Sequence, residues 1–153
     1  MLNAASQIHF DQVDRHFLKQ QRDHVGVSSD EIVELLGSMV PLGVWRLEIE
    51  TGLIYWSEDC ASIHLMEASS DPVSLAQVLA RYHPEDAILV EQVLGKVTTE
   101  HNSFRMVLRV EDGKGSYRLV ATAGRYREDN GGELIGYCHE YQDMVRAVIL
   151  SGE

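Results

Sequence analysis

From Gly43 onward the chain alternates between apolar and polar residues. Trp45, Leu47 and Ile49 alternate with Arg46, Glu48 and Glu50, the two-residue period of a half-buried strand. Thr51-Gly52 is a tight turn, and Leu53-Ile54-Tyr55-Trp56 reads as the returning strand of a hairpin. The same period comes back late in the chain. Phe104, Met106, Leu108 and Val110 alternate with Ser103, Arg105, Val107 and Arg109. Asp112-Gly113-Lys114-Gly115 and Asp129-Asn130-Gly131-Gly132 are hairpin turns, where glycine supplies positive φ. The strands they join are expected over 117–124 and 134–141.

Between and before the strands the period is helical. Residues 4–24 hold no Gly or Pro and place Ile8, Phe10, Val13, Phe17 and Leu18 on one narrow apolar stripe. Ser28 and Glu31 form a capping box that opens a short helix with Ile32, Val33, Leu35, Leu36 and Met39, stopped by Pro41. Ser57 is expected to cap a helix whose first turn carries Glu58 and Asp59, favourable at the positive end of the helix dipole. Ser74 caps a third, Leu75 to Arg81, after a polar loop over 67–73. His83-Pro84-Glu85-Asp86 opens another, running to about Leu94, with Pro84 at its first position and two acids in its first turn.

The order is two strands, three short helices, then three strands. Five antiparallel strands with the helices grouped in one connection form an α+β domain, with helices over one face of the sheet. The three expected parts are a helix over 1–27, a domain over 28–142 and a tail over 143–153. The 153-residue length suits one domain with appendages, large enough to fold without a metal or a staple. The net charge is −11 with no basic patch or tail, which argues against nucleic acid and against an anionic membrane surface. No apolar run reaches the length of a membrane span, and Met1-Leu2-Asn3-Ala4-Ala5-Ser6-Gln7 is not a secretory signal. Cys60 and Cys138 are too few for a disulfide framework and suit a reducing cytoplasm, where both are expected to remain thiols.

Over residues 42–142 this succession resembles the PAS family, in particular the subgroup with a Trp-containing first hairpin and an HPED box. Leu42-Gly43-Val44-Trp45-Arg46-Leu47 with Glu50-Thr51-Gly52 resembles the opening hairpin. Tyr55-Trp56-Ser57-Glu58 resembles the second strand and the following cap, and Tyr82-His83-Pro84-Glu85-Asp86 the start of the long helix. Glu111-Asp112-Gly113 and the run from Asp129 to Gly136 resemble the two late turns and the closing strand. The resemblance implies a PAS fold and a sensory or protein-interaction role, commonly dimeric through a helix ahead of the domain. With no effector attached, it implies a stand-alone module regulating a kinase, a cyclase or another signalling protein.

Candidate sites follow, each beside a plainer reading. Trp45, Leu47, Ile63, Met66, Phe104, Met106 and Leu108 repeat at strand or helix spacing and are candidate pocket residues for a small apolar ligand. The same periodicity describes ordinary core. Some relatives hold haem through a histidine on the long helix. His83 lies at that helix's start, where a capping role also accounts for it, and haem is not expected. His64 and His101 are further histidines that nothing singles out. Cys60 lies in Glu58-Asp59-Cys60-Ala61-Ser62, unlike the flavin-adduct motif of light-sensing relatives. Cys60 and His64 are spaced i, i+4, but Cys138 and His139 are neighbours on a strand and point to opposite faces, so a four-ligand zinc site is not supported. No Walker loop, GxSxG, HExxH or GxGxxG is present, and no enzyme activity is expected.

The stripe Ile8, Val13 and Phe17 needs a surface to pack on, either its own sheet or the same helix of a second copy. The dimer is favoured, because Val107, Val120, Ile135 and Tyr137 are expected to leave apolar content on the sheet's outer face. The tail from Met144 to Leu150 is apolar and would add to such a surface.

Overall fold

The computed structural model describes residues 22–141 and 146–152, together with Ile8 and Phe10. Its centre is one antiparallel sheet. The strands are β1 (Leu42–Glu48), β2 (Leu53–Trp56), β3 (Val73–Ser74), β4 (Ser103–Glu111), β5 (Tyr117–Arg127) and β6 (Glu133–Glu140). They lie in the order β3-β2-β1-β6-β5-β4, so the first and last strands of the main sequence pair at its centre. The sheet has six strands where the pattern predicts five. The extra one is β3, which pairs Val73 and Ser74 with β2 and is too short to show a period.

Among the described residues four α-helices accompany the sheet: α1 (Ser29–Gly37), α2 (Glu58–Ile63), α3 (Leu75–Leu79) and α4 (Pro84–Glu100). The expected caps account for most of their starts. Ser28 with Glu31, and Ser74 with Gln77, close complete capping boxes. His83 caps α4 by accepting the Glu85 N–H at Nδ1, 3.1 Å away. Ser57 differs from expectation: its hydroxyl accepts the Val44 N–H at 3.0 Å and ties α2 to β1 instead of capping the helix. The helix α4 runs past Leu94 to Glu100, because Gly95 is tolerated inside it and the left-handed residue His101 ends it.

The helix α2 packs on β1 and β6, and α4 on β4 and β5. Between helices and sheet lies a core that includes Leu47, Ile54, Ile63, Val90, Leu108, Val120 and Leu134. Val120 therefore faces inward, opposite Leu108, and not onto the outer face as the strand pattern suggested. Two glycines opposite each other, Gly124 on β5 and Gly136 on β6, leave a trough in the sheet. The indole of Trp45 fills it, and a Cβ on Gly124 would come within 2.8 Å of that ring.

On the outer face Glu133 is fully buried beneath two arginines, accepting from Arg127 at 2.8 Å and from Arg46. Both bonds hold its carboxyl below the usual carboxylate range. Asp86 on α4 plays a similar part at the other edge. Burial opposes its charge, but hydrogen bonds from the Arg109 side chain and backbone, the closest at 2.8 Å, outweigh that and keep it low.

The expected helix over 1–27 falls largely outside the described residues, and so do Val13 and Phe17. Ile8 and Phe10 are exposed, and Asp23–Val25 forms a single 3-10 turn. Residues 146–152 have no regular secondary structure, and Val148, Ile149 and Leu150 are exposed.

Candidate functional site

The space between sheet and helices is not filled completely. It leaves a cavity of about 50 Å³. Trp45, Leu47, Phe104, Met106 and Leu108 line it, five of the seven residues chosen from periodicity. Ile63 is buried in the core but away from the cavity, because α2 directs it elsewhere. Met66 lies in a separate shallow groove beside Glu58, Ser62 and Leu65, after Leu65 turns the chain through positive φ. Trp56, Tyr82, Thr122, Cys138 and His64 complete much of the wall.

His64 is the polar centre of that wall. Its Nδ1 lies 2.8 Å from the Cys60 carbonyl and its Nε2 2.8 Å from the Tyr82 hydroxyl. A carbonyl only accepts, so Nδ1 carries the proton, Nε2 accepts, and Tyr82 donates. Burial pushes the imidazole pKa down to about 4, aided by the nearby Arg118 and Arg81 and opposed by the Cys60 bond. The ring is therefore neutral at physiological pH. Burial also pushes the Tyr82 hydroxyl up. Neighbouring arginines fix the end of α2 that carries this histidine. Arg81 donates to the His64 carbonyl at 3.0 Å, and Arg118 donates to the carbonyls of Ser62 and Ile63.

The other cavity neighbour is sulfur. Cys60 and Cys138 are both fully buried, with their Sγ atoms 2.9 Å apart. Local spacing sets each cysteine beside its nearest histidine and does not show this pair, which brings together residues 78 apart in the chain. Only the register of β6 against β1, with Cys138 opposite Gly43, creates it. His64, just past α2, and Tyr82, just before α4, meet through tertiary packing across 18 residues, which no local spacing shows.

His83 has Nδ1 engaged as a cap, rests against the Tyr117 ring and does not line the cavity. His64 does line it, but both ring nitrogens are already bonded. Apolar cavities of about 150 Å³ accept a benzene ring; at about 50 Å³ this one holds a few heavy atoms, far fewer than a porphyrin or a flavin. Among the described residues no group of three or more His, Cys, Asp or Glu side chains is placed to hold a metal. Among them, too, no helix is long and apolar enough to cross a membrane.

Solved structures are similar to this arrangement of a curled antiparallel sheet and helices. The N-terminal domain of a diguanylate cyclase with a PAS/PAC sensor from Marinobacter aquaeolei matches with a TM-score of 0.56 and 19% identity, over 65% of this chain and 94% of that one. The chain has a PAS fold. A sensory box histidine kinase/response regulator from Burkholderia thailandensis matches at TM-score 0.57 and 19% identity, covering 71% and 82% of the two chains. An RNA-binding light-oxygen-voltage receptor matches at 0.59 and 16% over 71% of this chain, which spans about a third (32%) of that receptor. No protein-family model matches the sequence, and no curated protein matches it at a significant level. At these identities the PAS likeness is one of shape, and it leaves the HPED subgroup to the sequence motifs alone.

Proposed function

We propose that this PAS protein is a sensory and protein-interaction module that regulates a signalling partner, such as a sensor kinase or a cyclase, as a cytoplasmic homodimer and without catalysis of its own. One observation carries the reading. The helix α1 has no buried residue, and Leu35 is 67% exposed with Val33, Leu36, Met39 and Val40 beside it. An apolar face of that extent ordinarily marks an interface. Val44, Val107 and Tyr137 extend apolar area over the outer face of the sheet. The structural neighbours include a sensor domain from a diguanylate cyclase and a sensory box histidine kinase, the partner classes named here.

The switch in this reading is a shift of population. A ligand or a partner binds one packing of the N-terminal segment better than another, and the preferred packing decides which surface is offered. The test is affinity capture of the tagged full-length protein, with mass spectrometry of the bound proteins, beside light scattering of the free protein. A stoichiometric signalling enzyme and a dimer that Phe17→Asp dissociates are the expected results. A monomer indifferent to that substitution, with no signalling enzyme captured, defeats the reading.

The cavity supports a second reading, a sensor whose bound molecule sets its output. Its walls are almost wholly apolar, with the His64–Tyr82 pair as the polar contact. The occupant is then a small apolar molecule. Native mass spectrometry and an absorption spectrum of protein taken directly from cells test this. A stoichiometric added mass that Met106→Trp removes supports it, and a Soret band lost in His83→Ala would replace the small molecule with haem.

A further inference from the structure

The geometry points to Cys60 and Cys138 as a modification site: a thiol pair that a small peroxide, entering by way of the cavity, converts to a reversible disulfide bracing α2 against β6. Three observations place the site. The sulfurs are 2.9 Å apart, and a disulfide needs them to close by about 0.9 Å to its bond length of about 2.05 Å. Position 43 is glycine, directly opposite Cys138 in the β1–β6 register. A Cβ there would collide with the Cys60 sulfur and come within 2.9 Å of the Cys138 sulfur, so this glycine opens the passage between them. Finally, Cys138 lines the cavity although it is otherwise sealed from solvent.

The cavity also selects the oxidant. A water molecule needs about 10–15 Å³ of such space, so about 50 Å³ admits hydrogen peroxide but not glutathione disulfide. The Cys138 sulfur attacks one peroxide oxygen, the O–O bond breaks, and the thiol proton leaves with the other oxygen as water. This leaves a sulfenic acid on Cys138. The Cys60 sulfur then attacks the Cys138 sulfur, the S–O bond breaks, and hydroxide takes the Cys60 proton as a second water. Two thiols lose two electrons and one peroxide gains them. The bond to Cys138 and burial hold the Cys60 thiol high, so Cys60 is a slower nucleophile than an exposed thiolate. Cytosolic disulfides of this kind are transient and redox-sensing rather than structural.

The experiment treats the folded full-length protein with hydrogen peroxide, quenches it, unfolds it with an alkylating reagent, and maps the cysteine peptides by mass spectrometry. The expected product is one cross-linked peptide pair in a monomeric chain, with both thiols lost together and both recovered with dithiothreitol. Oxidised glutathione should leave the thiols intact over the same hours. The oxidised protein should melt higher by about 10–15 °C, as closing a loop of this length predicts. In Cys60→Ser, dimedone should trap a sulfenic acid on Cys138. The wild-type mapping decides the matter even where that variant fails to fold. Two intact thiols after peroxide, oxidation of one cysteine alone, an intermolecular bridge, or equal reaction with oxidised glutathione each overturn the proposal.

Discussion

His64 shows how far one buried side chain can make stability depend on pH. Its imidazole has an ordinary pKa of 6.5 and a folded value of about 4, so the unfolded chain binds the extra proton between those values. Stability therefore rises with pH across that window and is lost as pH falls from about 6.5 towards 4. The size follows from about 1.4 kcal/mol per pKa unit: roughly 2 kcal/mol is gone by pH 5 and roughly 3 by pH 4. Urea unfolding at pH 7.5 and pH 5 reads this directly. The difference between the two midpoints should shrink in His64→Gln, whatever that substitution costs by itself. Asp86 and Glu133 act lower on the scale. Their carboxyls are depressed in the fold, so they stabilise above the ordinary values of 3.8 and 4.5 and lose that contribution only as pH falls below them. A midpoint shift at pH 5 that persists in His64→Gln would thus contradict the assignment. Asp86 has a second consequence. It is buried and takes three hydrogen bonds from Arg109, whereas Glu85 meets the same guanidinium from the surface. Asp86→Ala leaves a half-buried cation short of its main partner and should cost about 3 kcal/mol. Glu85→Ala should cost less than about 1 kcal/mol. Equal losses in chemical denaturation would show that the two acids share the arginine evenly.

At the scale of elements, most of what depended on local chemistry was legible in the sequence, Ser57 being the exception, since its hydroxyl accepts the Val44 N–H instead of capping α2. The hairpin Trp45–Trp56, the Ser28–Glu31 capping box, the Ser74 cap and the His83-Pro84 start of α4 each follow from neighbours a few residues apart, and each is present. What depended on register was not. A one-residue slip reverses every side chain on a strand, and nothing local shows that Val120 lies opposite Leu108 on the inner face. The same limit hid the Cys60–Cys138 pair. Ile63 and Met66 lie on and just after α2, where strand register says nothing; the packing of α2 and the turn at Leu65 put His64 at the cavity instead, beside Tyr82. The Gly124–Gly136 trough is another product of register. Either glycine alone reads as a strand weakness. Paired, they let Trp45 lie across β5 and β6. Gly136→Ala brings a methyl group against the Trp45 ring and the Ala123 carbonyl, and should destabilise the domain by about 1–3 kcal/mol. In a Trp56→Phe background it should also shift the emission of Trp45. An unchanged spectrum with unchanged stability would mean that the sheet spreads to take the methyl group and that the trough does not position the ring.

The molecule as a whole combines a net charge of −11 with an uncovered apolar helix, and these two features pull self-association in opposite directions. Like charges repel over about 10 Å at moderate ionic strength. Apolar burial attracts and is not weakened by salt. The helix α1 also has only nine residues, below the roughly 12–15 that stand alone in water. Ile32 and Leu36, one turn apart, offer a single apolar face on which a partner could pack. A homodimer built on this face should tighten as salt rises from about 0.05 to 0.5 M, because screening removes repulsion and leaves the apolar contact. A dimer held by ion pairs would loosen over the same range. Leu36→Asp sharpens the test, since it puts a charge into the contact and adds to the repulsion. It should weaken the dimer at least about tenfold, some 1.4 kcal/mol. Because Leu36 touches no part of the buried core, the melting of the dilute monomer should stay within about 0.5 kcal/mol of the parent. Sedimentation equilibrium at both salt concentrations, with a melt of the dilute protein, separates these effects. A dimer that loosens with salt and ignores Leu36→Asp would move the interface away from α1, towards the partly exposed charges Arg46, Glu48 and Arg127 on the outer face of the sheet.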